Sequence, residues 1–169
     1  GFQKKIKINS LILGVYNFTI ANLDGTDEQE INVDVNNYID KKFIYYSLIT
    51  NQIIDREPQL NQWDLLFTKY EEDLNQDPTN PLYYNVTGVL TNDNLVAEYN
   101  GSIDDVLLFT NLDTTRTINT IGYDWKEYNG SYSMVPNKTF YVTDLNEQDV
   151  YKINFQTFEG GVSGNCSFT

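Results

Sequence analysis

An antiparallel all-β fold with one short helix is the class this sequence predicts, and three observations carry it. Apolar and polar residues alternate over several short runs, as strands with one wet face require. Aromatics make up 14% of the chain, 13 residues being Tyr, whereas the best helix former occurs only as Ala21 and Ala97. Asn-rich and Gly-rich tokens separate the runs, which suits hairpins.

Taken in order, residues 11–20 (LILGVYNFTI) read as a strand. They are too short for a membrane span and contain Tyr, Asn and Thr, and no cationic segment or small-residue cleavage site accompanies them. The stretches 23–30 (LDGTDEQE) and 71–80 (EEDLNQDPTN) read as solvated acidic loops without the ligand order of a calcium loop. Residues 43–49 (FIYYSLI) are apolar on both faces, which predicts a central strand. In 62–68, Trp63, Leu65 and Phe67 share a face; in 84–90, Tyr84, Val86, Gly88 and Leu90 do. The short helix is expected from Ser102, whose hydroxyl caps a first turn carrying Asp104 and Asp105, with Ile103, Val106 and Leu107 on one side. LTNDN at 90–94 and EYNGS at 127–131 read as turns, with Asn129-Gly130 a type I′ signal. In 151–156, Tyr151, Ile153 and Phe155 point one way and Lys152, Asn154 and Gln156 the other. The glycine-rich 160–164 (GGVSG) lacks both a phosphate-binding Lys and a following helix, so it reads as a terminal turn.

A length of 169 residues suits one domain spanning 1–169, and neither a repeat nor a Pro/Gly/Ser linker divides it. Eleven basic residues against 24 acidic ones leave a net charge of −13, which disfavours nucleic acid and anionic lipid as partners. The absence of His removes the usual general base, the His-activated nucleophiles and every His-liganded metal site. The single Cys166 can form no internal disulfide and reads as a small hydrophobe. Because the sequence opens at Gly1 without Met, a leader or tether upstream is a further expectation.

Paired carboxylates could still act on glycosides, but no spacing among the acidic residues singles out a pair. Binding is the better-supported class, because Tyr and Asn supply flat apolar surface and adaptable hydrogen bonds. Tyr123, Trp125, Tyr128 and Tyr132 cluster about the Asn129-Gly130 turn. Either they form an aromatic pad at a hairpin tip or several pack inside across strands.

Together, FIYYSL (43–48), WDLLFTKYE (63–71), YYNVTGVLTN (83–92), IGYDWKEY (121–128) and FYVTDLNEQDVYKINFQTFEGG (140–161) resemble the HmuY-like haem-binding family. The resemblance covers the chain from about residue 40 onward and only weakly 1–40. It implies an all-β, right-hand-like fold whose finger loops pinch a porphyrin. It also implies an exported lipoprotein on the outer surface of a Gram-negative cell, passing haem to a TonB-dependent outer-membrane receptor, with no enzymatic activity.

That family holds iron between two axial side chains, a His pair or in some relatives Met, and this chain has no His and one Met. No ligand carries over by position. Chemistry leaves the thioether of Met134 and the phenolates of Tyr132, Tyr128, Tyr123 or Tyr99 as candidate haem-iron ligands, with Lys126 and Lys138 offsetting the propionates. Met134 equally reads as gap filling before Pro136. The expected function is therefore haem or porphyrin binding at the cell surface. One rival is a ligand-less accessory lipoprotein of an outer-membrane complex; another is a carbohydrate-binding β-sandwich that uses the same aromatic pad.

Overall fold

The computed structural model describes residues 3–169, and its first strand pairing is set by a two-residue turn. Leu13 and Gly14 have φ of 51° and 80°, the two left-handed positions that a type I′ turn needs. Lys4–Ile12 (β1) thereby folds back on Val15–Asn22 (β2), with Ile12 opposite Val15. The run 11–20, expected as one strand, is in fact the corner of a hairpin. Its turn residue Leu13 is 91% exposed, so apolar character there marked a reversal rather than a buried strand. Gln29–Asp34 (β3) completes the sheet in the order β1-β2-β3.

Side-chain alternation gives this sheet two unlike faces. Ile6 lies opposite Ile20, Ile8 opposite Phe18, and Tyr16 opposite Val33, which assembles one apolar face. The other carries a row of amides and hydroxyls in which Asn9 donates to Asn17 and Thr19, and Asn17 to Glu30 and Asn32. Tyr45–Ser47 (β4) and Gln52–Ile54 (β5) form a separate two-stranded hairpin. The segment 43–49 is thus not a central strand; its apolar residues up to Leu48 are half-buried and Ile49 is exposed, with Tyr46 packed edge-on against Phe18 at 5.4 Å.

Residues up to Gln62 make one compact unit and Trp63–Thr169 a second. In the second, Leu65–Asp73 (β6) pairs along its whole length with Tyr83–Thr91 (β7), so the acidic stretch expected to loop from residue 71 begins in strand. Val96–Asn100 (β8), Lys138–Thr143 (β11) and Val150–Ile153 (β12) form a three-stranded sheet with β11 in the middle. All six residues of β11 are buried, making KTFYVT the central strand. Lys126–Tyr128 (β9) pairs with Tyr132–Met134 (β10), and Phe155–Phe158 (β13) with Cys166–Phe168 (β14) across the 160–164 turn.

Three further expectations meet corrections. Tyr128 opposes Tyr132, so the loop at Asn129-Gly130 has three residues, and only Gly130 among them has a positive φ, +86°; this is not a type I′ turn. Residues 102–105 close a single turn, with the Asp105 amide donating to the Ser102 carbonyl and the Asp104 amide to the Ser102 hydroxyl. No helix follows, and helical structure among the described residues is limited to the short 3-10 turns Val35–Tyr38, Leu60–Gln62 and Phe109–Asn111. The run 151–156 is two strands broken at Asn154, whose Nδ2 donates to the Lys138 carbonyl. Ile153 and Phe155 are buried as expected, but Tyr151 is exposed.

The core of the second unit is Val89, Val96, Ile121, Trp125, Phe140, Val142, Ile153, Phe155 and Phe158. Trp125 stacks on Phe155 with centroids 3.9 Å apart and meets Phe158 edge-on. Two buried amides fix the β7–β8 connection: Asn94 Nδ2 donates to Asp64 at 2.7 Å and to the Thr143 carbonyl at 2.8 Å, and Asn92 Nδ2 to the Trp63 carbonyl. That polarity explains why an Asn-rich turn sits inside. No helix among the described residues is long and apolar enough to cross a membrane.

Candidate functional site

The hairpin β9–β10 stands over β7, and between them lies a hollow of about 390 Å³. Tyr84, Val86 and Thr87 of β7 line it on one side, and Tyr123, Lys126, Tyr128 and Tyr132 on the other. Lys69 of β6, Leu74 and Gly161 complete the rim. Alternation explains the placement of the pair on the hairpin, since directly opposed residues on antiparallel strands share a face. Tyr128 and Tyr132 accordingly lie 5.0 Å apart with their rings tilted by 56°. Tyr132 also meets Phe158 edge-on at 4.8 Å, which ties the platform to the core.

Four of the seven residues singled out from the sequence therefore converge: Tyr123, Lys126, Tyr128 and Tyr132. The other three do not line the hollow. Met134, opposite Lys126 in the β9–β10 register, is partly buried against the core, as gap filling requires. Tyr99 gives its hydroxyl proton to Asp105 at 2.8 Å, and that carboxylate holds the phenol above its ordinary pKa. Lys138 is 7% exposed, with Nζ 2.7 Å from Asp124 and 3.1 Å from Glu98. Two carboxylates already neutralise it, so it offers an incoming acid nothing. Of the two alternatives for the aromatics about the turn, Trp125 takes the packed one: it is 2% exposed and donates from Nε1 to the Gly122 carbonyl at 3.0 Å.

Lys126 behaves differently. Its Nζ donates to the carbonyls of Thr87 at 2.5 Å and Tyr123 at 3.0 Å and sits 3.9 Å above the Trp125 ring. Burial pushes the ammonium down to about 8, against the opposing pull of Asp124 and the Cys166 thiol. No carboxylate lies within 4.0 Å of it among the described residues. It remains mostly protonated at neutral pH, a cation held by dipoles and a ring face. Tyr123 beside it has its phenol pushed up, first by burial and then by Glu72 and Asp124, so its own proton stays in place at neutral pH.

Tyr84, 63% exposed, is a member of the hollow that the sequence reading placed only on a strand face. Its alternation with Val86 was visible; its closeness to Tyr132 depends on a loop register that no local pattern encodes. Cys166 is a half-buried thiol packed on the core, as expected. Among the described residues no group of three or more His, Cys, Asp or Glu is placed to hold a metal ion.

No protein-family model, curated protein or solved structure matches the chain. The functional reading rests on the residues themselves.

Proposed function

We propose that the chain is a binding module rather than a catalyst, and that the tyrosine hollow of its second unit takes a flat, partly apolar ligand bearing an acid. A porphyrin, with haem as its iron form, is the member of that class to which the resemblance points. The observation that carries the reading is the convergence of Tyr84, Tyr123, Tyr128 and Tyr132 with Lys126 around one hollow. Ring faces stack on a planar ligand. An ammonium without a carboxylate partner gives an acid a charge-assisted hydrogen bond.

The residues suit the ring and the acid better than the iron. The Met134 thioether packs on the core and does not line the hollow. The phenol oxygens of Tyr84, Tyr128 and Tyr132 are the donors left there for iron, and a bound haem would supply redox-active iron at that position. An exported, lipid-anchored placement and transfer to a TonB-dependent receptor belong to the same reading.

Parallel titrations with haemin and with iron-free protoporphyrin, followed in the Soret region, test it. Both are expected to saturate, to weaken in Tyr128→Ala and Tyr132→Ala, and to be indifferent to Met134→Ala. Flat titrations with both porphyrins would overturn the reading. So would retention on a glycan array that vanishes in Tyr132→Ala, which would instead establish a sugar platform.

A further inference from the structure

The first unit contains a larger hollow that plays no part in that reading. Its volume is about 870 Å³, inside the range of pockets that accept whole small molecules. The floor is the apolar face of β1-β2-β3, through Ile6, Ile8, Phe18 and Val33, and the segment after β3 supplies Phe43 and Leu48 as wall. A packed core would bury the floor, yet Ile6 and Ile8 remain 52% and 63% exposed. The reverse face of the sheet carries an exposed row of mutually hydrogen-bonded amides suited to water, so the apolar side is the one that suits a hydrocarbon.

Two cations border this hollow, and they differ. Lys41 is engaged: its Nζ donates to the Glu57 carbonyl at 2.5 Å and lies 3.4 Å from Asp55. Lys42, half-buried in the lining, has no carboxylate within 4.0 Å among the described residues. Seven of the 11 basic residues have no carboxylate within 4.0 Å among the described residues, and Lys42 is the one of them that lines this apolar hollow. Its ammonium attracts a single negative charge attached to a hydrocarbon and repels the cationic equivalent.

We propose that this hollow binds a long-chain carboxylate, with the alkyl chain along Ile6, Ile8 and Phe18 and the acid on Lys42. A flat acid is less suited, because Tyr46 meets Phe18 edge-on, so these two rings present no parallel faces to sandwich a planar ring. A second copy of the chain is disfavoured too: an isologous contact would bring a second Lys42 into the same apolar surroundings.

Calorimetric titration of the full chain with dodecanoate, and with the chain-matched cation dodecyltrimethylammonium, tests the proposal. Dodecanoate should bind saturably at one per chain and the cation at least about tenfold more weakly, the worth of one charge-assisted hydrogen bond. Lys42→Glu should reverse that preference. Ile8→Asp, a change at an exposed position that keeps the circular dichroism of the parent, should abolish dodecanoate binding, and Tyr132→Ala should leave it intact. The proposal fails if neither amphiphile saturates, if both bind equally and Lys42→Glu changes nothing, or if Ile8→Asp binds as the parent does. It also fails if the parent scatters light as a dimer and Ile8→Asp as a monomer, since a second copy then covers the face.

Discussion

Replacing Gly88 by Ala tests the contact that holds the tyrosine hairpin in place. Gly88 lies mid-β7 opposite Thr68, and a Cβ added there would stand 2.5 Å from the Gly122 carbonyl oxygen, 2.9 Å from its carbon and 3.0 Å from the Tyr70 ring. Ordinary contact starts near 3.4 Å, so this carbonyl must retreat by about 0.9 Å. It is not free to do so. It accepts the Val89 amide at 2.9 Å and the Trp125 indole at 3.0 Å, and Gly122 itself is held at φ +60°. Lengthening two buried hydrogen bonds costs about 1 kcal/mol each, and overpacking adds about 1–2 kcal/mol. The sum is about 3–4 kcal/mol, which lowers the thermal midpoint by roughly 10 °C in a chain of this size.

Urea unfolding followed by tryptophan fluorescence measures it directly, because Trp125 is one of two tryptophans and reports the displaced carbonyl. Gly130→Ala is the control. A Cβ there meets nothing within 4 Å, and only the φ of +86° is unfavourable, so about 1 kcal/mol is expected. A Gly88→Ala protein no less stable than Gly130→Ala would refute the reasoning.

The depressed Lys126 gives a signed pH effect. Its folded pKa, about 8, lies below its ordinary value of 10.5, so between these pH values the unfolded chain binds more protons and stability rises with pH. Below pH 8 the group is charged in both states and its contribution is a constant penalty. Urea midpoints across that window should climb in the parent and flatten in Lys126→Met, while affinity for an acidic porphyrin should fall as the ammonium loses its proton. Lys138→Met should destabilise by about 2 kcal/mol, because it leaves Glu98 and Asp124 facing each other without their cation, reduced from the fully buried case by their partial exposure. Porphyrin titrations of that variant should match the parent's.

The all-β class was legible because it rests on local signals: alternation, aromatic content and turn residues. Residues such as Ile153 and Phe155 fell on the buried side as their pattern required. What failed were inferences about which strand lies in the middle of a sheet. FIYYSLI looked central because it is apolar throughout, yet its neighbours leave half of it over a hollow; the strand that is buried at every position is KTFYVT, with Lys and two Thr in it. The type I′ geometry sits at Leu13-Gly14, where a leucine takes a positive φ because the pairs Ser10–Asn17, Leu11–Tyr16 and Ile12–Val15 close the ladder onto a two-residue turn. For the site, residue types were readable at Tyr123, Lys126, Tyr128 and Tyr132, while Lys138 was misjudged because its neutralising acids come from β8 and from the turn before β9.

The outermost strand of the first sheet has a bearing on how copies of this molecule avoid one another. β1 is an edge, nine residues long, which in many proteins would invite a neighbour's strand to join the ladder. Here Lys5 and Lys7 stand exposed along it, two of the 11 basic residues of a strongly acidic chain, while Lys4 is ion-paired with Asp27. Two such margins brought together would align like charges over the first half of their length, so concentrated solutions are protected from ribbon growth by electrostatic guards placed where the backbone is most adhesive.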